Sequence, residues 1–236
     1  MPLEVAAHAG FCMGVRRAVE MAEKAAQDGI PSCTLGDLIH NPAVVARLEE
    51  NGLASVHTVE EAGSRRVLIR SHGVSRAVME QLNNAGCEVL DLTCPFVSRM
   101  HRIVEESSRD GTTVILVGER QHPEVQGTAG WAHGNVEVVA TPEDASKLPE
   151  LEKAVAVSQT TYPPEKWEAV LRVLREKVHS LDAHCTICNA TEIRQKEAAE
   201  MAERMDAMIV VGGRNSANTR KLFDVCSSRY GKVILV

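Results

Sequence analysis

The chain has 236 residues, a formal net charge of −6, 44% hydrophobic and 25% charged residues, and only 3% aromatic residues. Such a length builds one large domain or two to three small ones. The acidic balance and few rings argue against nucleic acid, which needs a basic patch and stacking platforms, while strand-sized apolar runs and an N-terminus without an export signal exclude a membrane span and point to the cytoplasm.

Short strands and amphipathic helices alternate from one end to the other. A helical period near 14–28 leads to strands near 33–35, 54–56, 66–70 and 88–91, with helices near 42–50 and 75–85 between them. The same succession follows a helix near 95–109: strands near 112–117, 136–139, 153–157 and 180–182, with helices near 123–131 and 164–178. A third round starts with a helix near 189–205, strand 207–211, helix 216–229 and strand 232–236, where the sequence stops. Alternation of this kind predicts an α/β fold of mostly parallel sheets flanked by helices, in three related modules. The expected modules are 13–94, 95–188, and 189–236 together with 1–12. By the first two, the third lacks strands. Leu3–Ala6 is expected to supply one of them, and about 20–35 further residues are expected to be missing, which makes the chain a C-terminally truncated member of its kind.

Seven cysteines without a secretory signal suggest reduced thiols, metal ligands or catalysis. Cys12, Cys94 and Cys188 stand 82 and 94 residues apart, each directly before an amphipathic helix, so each module delivers one thiol at the same point. A helix start offers free N–H groups and partial positive charge, which favour a thiolate or an anionic cluster. Pro95 suits a first helical position. Brought to one centre, the three make a soft metal pocket. Cys33, Cys87 and Cys226 fall in apolar patterns and read as small buried hydrophobes, and Cys185, three before Cys188, reads as a spare thiol. With no second C-x-x-C, a zinc ribbon is disfavoured.

Ligands of parallel sheets bind where strands end and loops enter helices. Four such loops carry polar groups: Leu35 to Pro42 with His40, Arg70 to Ser75 with His72, Gly118 to Glu124 with His122, and Gly212 to Thr219 with Ser216 and Asn218. Histidines in equivalent loops can hold a diphosphate and supply protons. The fourth loop reads as an anion cradle, with glycines for tight turning before a helix start, or as a simple cap; it is neither a Walker loop nor a dinucleotide fingerprint. Glu124 can relay protons if a closed pocket raises its pKa, and Gln159-Thr160-Thr161 can add a hydroxyl. His57, His101, His133, His179 and His184 lack this placement and receive no role.

Gly10-Phe11-Cys12-Met13-Gly14-Val15, the His40-Asn41 loop, Ser71-His72-Gly73-Val74 and Asp91-Leu92-Thr93-Cys94-Pro95 are familiar together. So are Gly118 to Glu124, Gln159-Thr160-Thr161, Thr186 to Thr191 and Asn215-Ser216-Ala217-Asn218. In this order they span almost the whole chain, which resembles the 4-hydroxy-3-methylbut-2-enyl diphosphate reductase family of the non-mevalonate isoprenoid pathway. The resemblance implies a trefoil of three αβ modules around a central [4Fe–4S] cluster, with Cys12, Cys94 and Cys188 as its ligands and one iron open. It implies His40, His72, Ser216 and Asn218 as diphosphate-binding positions, His122 lining the same pocket, Glu124 delivering protons and Thr160 positioning the substrate alcohol. The implied reaction removes that hydroxyl with two electrons and two protons, giving isopentenyl and dimethylallyl diphosphates, with ferredoxin or flavodoxin as the transient electron donor. It also implies a further Ala-, Ser- and Pro-rich segment, carrying another serine for the diphosphate, that this sequence does not contain. A non-catalytic iron–sulfur electron carrier or redox sensor, or an inactive fragment of the reductase, stands as the alternative; it leaves the histidine loops unused.

Overall fold

The computed structural model describes residues 3–214, 216–229 and 231–236. Three parallel sheets follow one another along the chain. The first contains β1 (Ser32–Leu35), β2 (Ala54–Val56), β3 (Arg66–Ile69) and β4 (Val89–Asp91), in the order β2-β1-β3-β4. The second contains β5 (Thr113–Val117), β6 (Val136–Val139), β7 (Leu151–Ser158) and β8 (Val178–His184), in the equivalent order β6-β5-β7-β8. Every pairing is parallel. Among the described residues the third sheet has two strands, β9 (Met208–Val210) and β10 (Val233–Leu235). Their adjacency repeats the β2-β1 and β6-β5 edges of the other two.

The inner strands are apolar on both faces because helices cover both. β1 and β3 are buried at every position. Ser32, Thr34 and Arg66 are the polar exceptions, and the Arg66 guanidinium reaches Asp28 at 2.8 Å and Ser32 Oγ at 3.0 Å. α1 (Met13–Gln27) lays Ala18, Val19, Ala22 and Ala25 on the first sheet, α5 (Pro95–Ser107) lays Val97, Met100 and Val104 on the second, and α9 (Asn189–Arg204) buries Met201 and Ala202 against the third. These are the helical spacings visible in the sequence. Among the described residues, no helix is long and apolar enough to cross a membrane.

Leu3–Ala6 is not a strand. Leu3 and Val5 are 87% and 71% exposed, and among the described residues no partner strand lies beside the segment. A single extended segment with nothing to pair with gains no ladder. It is tied instead to α9 by polar contacts: Glu197 accepts from the Ala7 and His8 N–H groups at 2.6 and 3.1 Å, and Arg194 donates to the His8 carbonyl at 2.8 Å.

Candidate active site

The loop after β1 carries His40, the loop after β3 carries His72, and the loop after β5 ends in His122, the N-cap of α6 (Pro123–Ala129). Their rings meet. His40 and His72 have centroids 4.2 Å apart, and His122 stands 5.8 and 5.7 Å from them, edge-on to both. The loops approach this closely because glycines allow it. At Gly36, with φ +71°, a Cβ would stand 2.7 Å from Arg70 Nη1, and at Gly213 a Cβ would stand 2.5 Å from the His40 carbonyl oxygen.

The cluster is short of acceptors and rich in donors. His72 Nδ1 and Arg70 Nε are buried without a hydrogen-bond partner. His122 Nδ1 accepts the Glu124 N–H at 3.2 Å, which leaves the proton of the neutral ring on Nε2. Burial pushes the His72 ring well below the usual histidine range, helped by His40, His122 and Arg70. Burial first, then His40, Arg220 and Arg70, takes His122 down to about 4. His40 is lowered by burial and by Arg70 and Arg220, against Asp37. Neutral rings ringed by cationic groups, with buried donors left over, describe an anion site.

Glu124 is the second residue of α6 and is buried. Its two oxygens accept from Thr160, one from the backbone N–H at 2.6 Å and the other from the hydroxyl at 2.7 Å. Desolvation raises its pKa, and the Thr160 bonds oppose the rise. A carboxyl so placed can exchange a proton with a hydroxyl that is itself donor and acceptor.

Cys12, Cys94 and Cys188 are the N-caps of α1, α5 and α9, and none is fully buried. Burial raises the Cys94 thiol pKa, while the Phe96 and Val97 N–H groups pull it down; Ala190 and Thr191 do the same for Cys188, against the same burial. The starts of α1 and α5 converge here: a Cβ on Gly14 would stand 2.5 Å from Cys94 Sγ. Among the described residues no three His, Cys, Asp or Glu side chains group tightly enough to hold a single metal ion. Three thiols on three helix starts, where free N–H groups favour the thiolate, are a soft donor set that fits an iron–sulfur cluster, each thiolate taking one iron. Two backbone bonds join the thiols to the polar site: Cys94 N–H donates to the Ser71 carbonyl at 3.0 Å, and Cys188 N–H to the Thr160 carbonyl at 2.8 Å. A cavity of about 470 Å³ opens at Cys12 between α1 and α9, lined by His8 and not by His40, His72 or His122.

The model of the family described as LytB protein matches residues 3–236. The chain belongs to the LytB family. The 4-hydroxy-3-methylbut-2-enyl diphosphate reductase of Caldanaerobacter subterraneus subsp. tengcongensis is 44% identical over 234 residues, covering 96% of this chain and 80% of that protein. The enzyme of the same name from Geobacter sulfurreducens is 44% identical over 227 residues with the same coverage. A solved (E)-4-hydroxy-3-methyl-but-2-enyl diphosphate reductase, described as the terminal enzyme of the non-mevalonate pathway, superposes with a TM-score of 0.76 at 38% identity, covering 99% of this chain and 84% of its own. The E-1-hydroxy-2-methyl-but-2-enyl-4-diphosphate reductase of Plasmodium falciparum superposes with a TM-score of 0.90 at 27% identity, covering 96% and 73%. The α/β arrangement of three parallel-sheet units is therefore the LytB trefoil.

In this LytB chain the three histidines come together, as do Glu124 and Thr160. Ser216 and Asn218 stand at the start of α10 (Ala217–Arg229), beside the Gly212–Gly213 turn that packs on His40; the Ser216 hydroxyl accepts the Thr219 N–H at 3.3 Å. Asn215, part of the same motif, lies outside the described residues. Gly212 and Gly213 are not among the positive-φ glycines; close approach requires them, because a Cβ at Gly212 would meet Thr219 Oγ1 at 2.5 Å. Cys33, Cys87 and Cys226 are buried and Cys185 is exposed. Two cationic groups received no role from the sequence. Arg70 follows β3 directly, and Arg220 follows Ser216 by one helical turn; those positions were the available signals.

Proposed function

We propose that this chain removes the hydroxyl of 4-hydroxy-3-methylbut-2-enyl diphosphate, giving isopentenyl and dimethylallyl diphosphates and water with two electrons and two protons. The observation that carries the proposal is the junction of two chemistries: a polar site, the three histidines with the Glu124–Thr160 pair, tied by backbone bonds at Ser71 and Thr160 to two of three helix-capping thiols. Cys12, Cys94 and Cys188 would hold a [4Fe–4S] cluster, one from each of the modules 13–94, 95–188 and 189–236 with 1–12. When bound, the cluster supplies the electrons and a Lewis-acidic iron for the substrate's hydroxyl.

The chain's own residues do the rest. His40, His72 and His122, with Ser216 and Asn218, take the diphosphate, whose charge draws protons onto rings that are neutral without it. Arg70 and Arg220 add positive potential from behind them. Glu124, its proton held more firmly by burial, passes that proton to Thr160 Oγ, which orients the substrate alcohol and turns its own hydrogen toward the departing oxygen. The buried Glu124–Thr160 pair keeps bulk water away from this step. The electrons come from outside the chain, from ferredoxin or flavodoxin in the cytoplasm. Anaerobic turnover with a low-potential chemical reductant tests the reading: both isopentenyl and dimethylallyl diphosphates are expected, and their absence from fully reconstituted protein contradicts it. An electron carrier would need neither the histidines nor Glu124.

A further inference from the structure

We propose that His101 and Trp131 form a clamp that positions the His72 loop from behind and so sets the affinity for diphosphate. The inference rests on the reading of His72 as a diphosphate ligand. His101 lies two turns into α5, the helix that Cys94 caps, and is 6% exposed. Its ring stacks on Trp131, with centroids 5.2 Å apart and planes 20° from parallel. Trp131 follows α6, the helix that begins with His122 and Glu124, and its indole N–H donates to the Val74 carbonyl at 2.8 Å. Gly73, held at φ +71°, lies against the His101 ring: a Cβ there would stand 2.6 Å from His101 Cε1, 3.1 Å from Thr93 Cγ2 and 3.3 Å from His101 Nε2. The backbone beside His72 is therefore gripped from two helices, one leading from a cluster thiol and one from the proton-relay carboxyl.

A ring needed only for packing would be served by an apolar side chain. His101 Nε2 is buried with no partner, a feature that destabilises the fold. Its five-membered edge lets Gly73 approach; a larger aromatic ring would push the loop, and a smaller side chain would leave it without a floor. Both distort the His72 placement rather than remove a ligand, so His101 and Trp131 are positioning residues.

The test is calorimetric titration of inorganic diphosphate into the full chain, with thermal melting measured in parallel. His101→Leu, which removes the orphaned nitrogen but changes the shape that meets Gly73, is expected to weaken binding about tenfold or more while the melting temperature holds or rises, since a misplaced site loses affinity even when every ligating side chain is still present. Trp131→Phe, which keeps a stacking ring but loses the bond to Val74, is expected to weaken binding less, and it carries the test if the first variant fails to fold. In turnover, KM should rise with kcat nearly unchanged. Wild-type affinity in the folded variants, or decreases of affinity and melting temperature in proportion, would overturn the clamp. Failure of the wild type itself to bind diphosphate would overturn the histidine-site reading on which it stands.

Discussion

Replacing Gly14 by Ala separates the demands of the helix from those of the thiol centre. Gly14 is the second residue of α1 and has ordinary helical geometry, so Ala favours the helix by about 0.8–1 kcal/mol. The added methyl would stand 2.5 Å from Cys94 Sγ and 3.3 Å from Cys94 Cβ. The sulfur must swing to another position, at a cost of about 0.5–1.5 kcal/mol if its χ angle leaves a rotamer well. The two terms nearly cancel, so the metal-free protein should melt within a few degrees of wild type. Iron uptake should not survive, because a displaced Cys94 no longer points at the centre shared with Cys12 and Cys188. The assay compares melting of the metal-free protein with iron and acid-labile sulfide after anaerobic reconstitution. Wild-type iron content in Gly14→Ala would refute the convergence of the α1 and α5 starts on one cluster.

Other consequences follow from the polar site. Because burial raises the Glu124 pKa, the folded state holds that proton more tightly than the unfolded chain; the resulting stabilisation is present below about pH 4.5 and is lost as pH rises through the folded value. Glu124→Gln should therefore melt at or above the wild-type temperature near pH 7, yet lose turnover by a factor of about 10²–10⁴; unchanged turnover would remove Glu124 from proton delivery. Thr160→Val deletes the 2.7 Å bond to Glu124 and the relay hydroxyl, so turnover should fall and the carboxyl pKa should move further up, read by infrared titration of the Glu124 carboxyl band; an unchanged band titration would contradict the bond. Binding of inorganic diphosphate should take up protons beyond those the ligand itself binds, since an anion raises the depressed pKa values of His40, His72 and His122; calorimetry in buffers of different ionisation enthalpy reads this, and zero excess uptake would contradict it. Arg70→Gln should weaken diphosphate binding at all salt concentrations, whereas Arg220→Gln, at an exposed site, should matter mainly at low salt.

The long elements were legible because their periods are unmixed: apolar positions at helical spacing after each of the three cysteines, and continuous apolar runs within β3 and β5. Two short helices, α3 (Val59–Ala62) and α7 (Pro142–Ser146), escaped a reading by period because neither completes two turns. Their caps were the available signal: Thr58 accepts the Glu61 N–H and Thr141 the Asp144 N–H, both from Thr-x-x-acid patterns. Leu3–Ala6 has the right composition for a strand, but composition does not supply a neighbour. His101 falls on the core side of α5, beside Met100, and reads as packing until Gly73 and Trp131 arrive from other parts of the chain. Arg70 and Arg220 act through fields across loops, and spacing along one segment carries no trace of that.

Catalysis by this chain turns on whether three modules deliver three thiols to one cluster. Iron and acid-labile sulfide per chain, measured after anaerobic reconstitution of wild type and of the Cys12→Ser, Cys94→Ser, Cys188→Ser and Cys33→Ser variants, address this directly. About four of each in wild type and Cys33→Ser, with little or none in the other three variants, is the predicted result. Equal iron in all five proteins would contradict it.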